Sequence, residues 1–299
     1  MSSYWTYLIQ ISGDIMNVLD AQLNKGFVLP FQTYEGSIPL NVPAISKDGR
    51  VFAGGNIVLG QRLGALQLGD EDLINGWGNN YFDLADLALV LEDRVKFQPD
   101  SPLLKGIVGV VETSDGSCVA VDARAVDVIL KKGKYGLFKR QFSESEVAHY
   151  LRDGKKQPEV VSNVILFPYD GDSIKLTSDQ FNAVDATAIK RKNIVHGRDL
   201  EKNEIVKGDK VTHPAWKMYD PKMIVPLVRK TFEHNKKAYG YTDNMGLYLL
   251  DEPQNNAEGR ALCVLGLGNG WGLGARDNLG DDGSRSVGVA SVVAEGDAR

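Results

Sequence analysis

From Gly259 to Ala294 the chain contains no lysine, glutamate, glutamine or methionine, although these four types make up roughly one in six of its 299 residues. A stretch of that length drawn at the chain's own composition would hold about five or six of them. Other absences bound the protein more coarsely. The two cysteines, Cys118 and Cys263, are far apart and each lies inside an apolar run, which reads as a pair of buried free thiols rather than a disulfide. Neither lies near a second metal-type ligand, so no zinc site is visible, and no metal or cofactor is expected. No apolar run reaches transmembrane length, and the opening MSSYWTYLIQISGDIM lacks the basic and sustained apolar regions of a signal peptide. No lipidation cysteine follows a leader. The expectation is a soluble product synthesised in the cytoplasm, without a signal peptide and without a membrane partner. The Gly-x-x-x-x-Gly-Lys-Ser/Thr phosphate loop and the Gly-x-Ser-x-Gly nucleophile elbow are missing as well.

What is present is an ordinary globular composition, with 43% hydrophobic and 24% charged residues over a length that fits one large or two ordinary domains. A net charge of -5 argues against a general nucleic-acid binder, because neutralising phosphates needs a basic face. The local basic runs Lys131-Lys132-Gly133-Lys134 and Lys190-Arg191-Lys192 are flanked by acidic residues and do not change that reading.

Inside the lysine-free window, small and loop-forming residues alternate with an apolar ladder of Val264, Leu267, Leu273, Leu279, Val287 and Val289. The pattern predicts a buried frame carrying a permissive surface. Two explanations fit it. Gly-rich, Lys-poor ends occur as ordinary tight-turn β segments or frayed termini. Alternatively, randomising both adenines of an Asn codon that ends in a pyrimidine reaches every amino acid except Lys, Glu, Gln, Met and Trp. Trp271 is the exception to that set in the window.

With Arg260-Ala261, Val264, Leu267, Gly274, Leu279, Gly283 and Val287-Gly288-Val289-Ala290 at their spacings, the C-terminal stretch resembles the variable region of proteins diversified by retroelements. The resemblance implies a C-type-lectin-like C-terminal domain in which strands and turns fix the backbone while solvent-facing side chains vary to bind new ligands. It covers roughly the last eighty residues and is a pattern of spacings without a catalytic signature. Trp271 and Ser286, the latter where an apolar residue is expected, depart from the usual pattern.

Along the chain, Tyr4 to Ile11 reads as a strand and Asp14 to Asn24 as a helix stopped by Gly26. Phe27 to Thr33 and Arg50 to Leu59 read as strands separated by a loop bearing Pro39 and Pro43. Phe82 to Leu91 fits both helical and strand periods and stays open. Leu104 to Glu112 and Ser117 to Val121 predict a hairpin, with Asp115-Gly116 supplying the positive φ of the turn. Ala123 to Lys131 predicts a short helix, Tyr135 to Phe142 a strand, and Ser143 to Arg152 a helix opened by a capping box. The polar stretch Asp153 to Pro158 is the candidate linker, giving an N-terminal α/β domain over 1–157 and a lectin-like domain over 158–299, with a variable region at about 260–290. In that second part Val160 to Phe167 reads as a strand, turned by Asp170-Gly171 onto Ser173 to Leu176 as its partner. A helix begins at Thr177 and runs to about Ile189, a charged loop spans Lys190 to Thr212, Pro221 to Lys236 reads as an amphipathic helix, and Gly246 to Leu250 as a strand. The fold class expected is α+β.

Enzymatic alternatives have weaker footing. The glycines of Val264 to Ala275 imitate a dinucleotide-binding turn, but too little chain follows to complete a βαβ unit. His149 and His234 fall in predicted helices, where packing is the simpler role. His196 and His213, with Asp199 and Glu201, lie in the charged loop and are the residues on which a metal-dependent hydrolase would have to rest. Trp216 is expected to anchor that loop as a core aromatic.

The expected function is non-enzymatic binding of a variable protein or cell-surface ligand by Asn269, Trp271, Leu273, Arg276, Asp277, Asn278, Asp281, Asp282 and Ser284, in a homo-oligomer. The alternative is a structural or assembly protein of a virus or mobile element. Virion association is compatible with either.

Overall fold

A computed structural model describes residues 18–26, 30–113, 115–138, 147–148, 164–194, 200–240, 244–249, 256–266, 271–275, 279–280 and 285–290. The chain runs α1 (Val18–Leu23), β1 (Phe31–Glu35), α2 (Ile38–Lys47), β2 (Arg50–Phe52), α3 (Gly55–Leu68), α4 (Glu71–Gly78), β3 (Phe82–Leu91), β4 (Arg94–Gln98) and α5 (Pro102–Lys105). It continues through the hairpin β5 (Ile107–Thr113) and β6 (Gly116–Asp122), α6 (Ala123–Val128), β7 (Val147–Ala148), β8 (Val164–Pro168), β9 (Ile174–Leu176), α7 (Ser178–Ala183) and β10 (Ile189–Lys190). Then follow α8 (Lys202–Ile205), the small hairpin β11 (Val206–Lys207) and β12 (Lys210–Val211), α9 (Pro221–Tyr239), β13 (Leu247–Leu249), β14 (Ala257–Val264), β15 (Leu273–Ala275) and β16 (Arg285–Ala290). Helices and strands are mixed along the chain and most strand pairings are antiparallel, with β13–β15 and β16–β3 parallel, so the class is α+β.

The stretch left open between helix and strand decides the architecture. Phe82 to Leu91 is β3, and each of its ten residues is buried. Phe82, Leu84, Ala88 and Val90 enter one core, with Val58 of α3, Trp77 of α4, Trp216 and Leu227 of α9. Ala85, Leu87, Leu89 and Leu91 enter a second core, with Ile38 and Val42 of α2, Val119 of β6, Phe167 of β8 and Phe181 of α7. A strand apolar on both faces is what a central strand between two covering layers requires, and it explains why no period was legible.

The large sheet has ten strands, in the order β1-β16-β3-β14-β15-β13, with β2 on β16, β4 on β3, β10 on β4 and β9 on β14. A separate four-stranded sheet, β7-β5-β6-β8, carries the hairpin expected at 104–121. The boundary expected at 157/158 lies outside the described residues, and strands from both sides of it share the large sheet: β16 pairs with β1 and β2, and β14 pairs with β3.

Several local expectations are corrected. The proline-bearing loop is α2, with Pro39 in its first turn and Pro43 inside it. The missing N–H of Pro43 is outweighed by burial of Ile38, Val42 and Ile45. Only Arg50 to Phe52 of the strand expected to reach Leu59 is a strand, because α3 begins at Gly55. Its first free N–H, that of Gly55, donates at 2.9 Å to the buried carboxylate of Asp86. A Cβ on Gly55 would lie 2.5 Å from Asp86 Oδ2, so the cap closes only on glycine. Tyr135 to Leu137 forms a 3-10 turn instead of a strand, and Val147–Ala148 is a strand against β5 instead of part of a helix. β9 returns at the end of β8 through a single antiparallel Tyr169–Ile174 bridge, as the Asp170-Gly171 turn implies, and its main pairing is with β14; the helix expected from Thr177 to Ile189 ends at Ala183. The charged 190–212 stretch contains α8 and the β11–β12 hairpin.

Other expectations hold. α9 starts with Pro221 behind an Asp220 cap and ends on Gly240 with φ 76°. Thr177 and Gln180 form a reciprocal capping box at the start of α7. Cys118 and Cys263 are buried thiols, and Trp216 is fully buried. The strand expected at Tyr4 to Ile11 and the Asp153 to Pro158 linker lie outside the described residues. Among the described residues no helix is long and apolar enough to cross a membrane.

Candidate functional site

The lysine-free window folds into β14, β15 and β16, and its apolar ladder is a frame. Val264, Leu273, Leu279, Val287 and Val289 are all at 0% exposure. β14 and β16 lie on either side of β3, so the window occupies the middle of the sheet. Leu265 N donates to Gly272 O at 2.8 Å and Trp271 N to Gly266 O at 3.3 Å, closing a hairpin neck around positions 267–270. Ile38 N donates to Leu279 O at 3.1 Å, tying the chain down between positions 276–278 and 281–284. At the far side of the third gap, Arg285 pairs with Glu35 at 3.2 Å and donates to Asn80 Oδ1 at 3.2 Å.

Two residues expected on the ligand-facing surface belong instead to this frame. Leu273 is at 0% and Trp271 at 1% exposure. The indole lies under the Arg62 guanidinium at 5.3 Å and stacks on His234 of α9 at 6.1 Å with 20° between the rings. A Cβ on Gly78 would stand 2.7 Å from Trp271 Cζ2, so the glycine ending α4 makes room for the ring. Trp271 has φ 61°, a left-handed backbone that a bulky side chain adopts only when its surroundings hold it there. The reason for the misplacement is plain. An aromatic among glycines has the composition of a contact residue, and the residues that enclose it, Arg62, Gly78 and His234, come from α3, α4 and α9.

Arg62 organises the base of the site. It is fully buried, and its Nε, Nη1 and Nη2 donate to the carbonyls of Trp77 at 2.9 Å, Leu265 at 2.9 Å and Asn80 at 3.1 Å. One planar fork thus joins the end of α4, the entry to β3 and the exit of β14. Burial pushes its pKa down to about 9, which still leaves the guanidinium charged at neutral pH. Half-buried His234 has its pKa lowered by desolvation first and by Lys237 second, so a neutral imidazole faces the indole. Arg62, Gly78 and His234 carry no signal in the sequence that connects them to the window.

The remaining expected positions, Asn269, Arg276, Asp277, Asn278, Asp281, Asp282 and Ser284, lie outside the described residues. All of them fall in the three gaps bracketed by the anchors above. The departures from the family pattern have structural causes. Trp271 is core, and Ser286, at 0% exposure, takes a hydrogen bond from Asn41 Nδ2 at 3.2 Å. Part of the glycine content is structural too. A Cβ on Gly272 would come within 2.6 Å of Gly246 O, and one on Gly280 would overlap Gly171 O.

The other sequence candidates are placed differently. Around the glycines of Val264 to Ala275, the described residues of β14 and β15 pair antiparallel. His213 is 3% exposed, and its Nδ1 accepts from Ala215 N at 3.3 Å. Glu201 caps α8 in a reciprocal box with Glu204. His149, His196 and Asp199 lie outside the described residues. Among the described residues no three His, Cys, Asp or Glu side chains are grouped to hold a metal ion.

No protein family model matches the chain, and no curated protein matches it. Among solved structures, one described as "Accommodation of massive sequence variation in Nanoarchaeota by the C-type lectin fold" is similar to 87% of this chain and 96% of its own, with a TM-score of 0.43 and 13% sequence identity. A TM-score of that size does not by itself establish a shared fold.

Proposed function

We propose that the protein is a non-enzymatic ligand-binding protein that displays a diversified C-terminal surface on a C-type-lectin-like scaffold. Asn269, Arg276, Asp277, Asn278, Asp281, Asp282 and Ser284 are the ligand-contacting positions in this reading. One observation carries it: the residue in the window that the codon scheme cannot produce, Trp271, is a core residue, whereas these seven polar positions, which obey the scheme, fall between buried anchors. A surface that must change without unfolding the protein needs that separation. Asn, Ser and Asp provide adaptable hydrogen bonding at such positions. A variable protein or cell-surface partner bound by several copies would gain from effective concentration, which favours a homo-oligomer. A strict monomer by light scattering would remove the multivalent part of the reading.

Sequencing the 3′ end of the gene and its flanking DNA across a population of the source organism tests the rest. Substitutions confined to positions that are adenine in a nearby template copy, beside a reverse-transcriptase gene, are the expected outcome. A uniform 3′ end without a template would sink the proposal. It would leave an assembly protein of a virus or mobile element, a reading favoured by the packing of Gly272 and Gly280, which accounts for glycine in the window without diversification.

A further inference from the structure

A cleft of about 520 Å³ opens between the end of α7, the turn after α6 and the segment leading to β10, with Lys96, Lys131, Asn182, Asp185 and Thr187 on its walls. That volume lies within the roughly 300–1,000 Å³ of small-ligand sites. It involves none of the residues of the C-terminal window.

Lys96 sits in β4 between Val95 and Phe97, which face the first core, so its side chain points to the second. It is 3% exposed, and its ammonium lies 4.8 Å from the Phe181 ring. Two of its protons go to the carbonyls of Phe181 at 2.8 Å and Val184 at 2.7 Å, at the C-terminal end of α7. An ammonium has three protons, and the third has no protein acceptor among the described residues.

The charge around it is also unbalanced. Among the described residues neither Lys96 nor Lys131 forms an ion pair, whereas Arg94, 5.6 Å from the same Phe181 ring, pairs with Asp93 at 3.8 Å. Burial, then Lys131, then Arg94 press the Lys96 pKa down to about 8, with Asp185 opposing them. With Arg94 paired to Asp93, the two lysines face one carboxylate, Asp185, and leave a positive surplus that an anion would neutralise. Asn182 and Thr187 add neutral donors on the same walls.

We propose that this cleft binds an oxyanion of the phosphate class, held by the ammonium groups of Lys96 and Lys131 with Asn182 and Thr187 as neutral donors. Lysine serves such sites as a point charge. If Lys96 were only a cap for α7, Lys131 would have no part in it.

The test is calorimetric titration of the full chain with inorganic phosphate, against chloride at matched ionic strength. Saturable one-to-one binding is expected, at least tenfold weaker in Lys131→Glu and several-fold weaker in Thr187→Ala. Both side chains are exposed, so neither substitution disturbs the core. Ribose 5-phosphate is titrated in parallel. Tighter binding than inorganic phosphate assigns the site to an organic phosphomonoester, and equal binding to the free anion. Absence of saturable heat above the chloride control, or wild-type affinity in both variants, would overturn the proposal.

Discussion

Arg62 and Lys96 are both buried cations that satisfy backbone carbonyls beside an aromatic ring, and they differ in what surrounds the charge. Arg62 has each of its nitrogens engaged with a carbonyl, Trp271 over its plane and His234 stacked beyond. Nothing of it is exposed. Lys96 has two carbonyls, a ring, and an open cleft. The same device is framework where the site is sealed and a recognition element where donor capacity remains beside open space. Burial alone therefore does not tell a structural charge from a functional one; the open space beside the charged group does.

The largest effects should come from breaking the sealed site. Trp271→Ala and Arg62→Met should each cost about 3–5 kcal/mol in denaturant unfolding, the first by leaving a cavity and the second by orphaning three buried carbonyls. Their combined effect should fall short of the sum, because the two groups are in contact. Full additivity would show that the stack is incidental.

Asp86 extends the comparison to a buried anion. Its carboxylate accepts from Gly55 N, Asp100 N and Tyr219 OH, yet burial raises its pKa to about 6. The folded state therefore holds this proton more tightly than the unfolded chain, whose Asp titrates near 3.8. Its contribution to stability is complete below the unfolded value and is lost as pH rises through about 6. The stability difference between wild type and Asp86→Asn should move by about 2 kcal/mol in favour of wild type as pH falls from 7 to 4. A constant difference would show that Asp86 does not titrate there.

The open site should be cheaper to break. Lys96→Met should cost about 1–3 kcal/mol, less than Arg62→Met, because fewer carbonyls lose their donor. The reverse order would undo the distinction between sealed and open. Smallest of all, Asp277→Ala and Asp282→Ala should lie within about 0.5 kcal/mol of wild type, while Leu279→Ala and Val287→Ala cost about 2–4 kcal/mol. Equal costs across the four would favour the assembly reading over a variable surface.

The parts of the fold legible in the sequence are those set by neighbours along the chain. The β5–β6 hairpin turns on Asp115-Gly116, α9 starts at Pro221, and α7 begins behind Thr177. Where the stabilising partner is remote, the reading failed. α3 is capped by Asp86, 31 residues on, and α2 tolerates Pro43 only because its buried face packs. Of the candidate site, the apolar anchors Val264, Leu273, Leu279, Val287 and Val289 were visible as a ladder. The burial of Trp271 was not, and Leu273 was counted both as ladder and as surface.

Composition and spacing alone determined the lysine-free window, its apolar ladder and the turns and caps, because these depend on propensities and hydrogen bonds spanning a few residues. Only the tertiary structure decided that β16 joins β1, β2 and β3, that Trp271 belongs to the core, and that Lys96 opens on a cleft. Those outcomes depend on which groups are removed from water together, and the partners that remove them lie tens to hundreds of residues away.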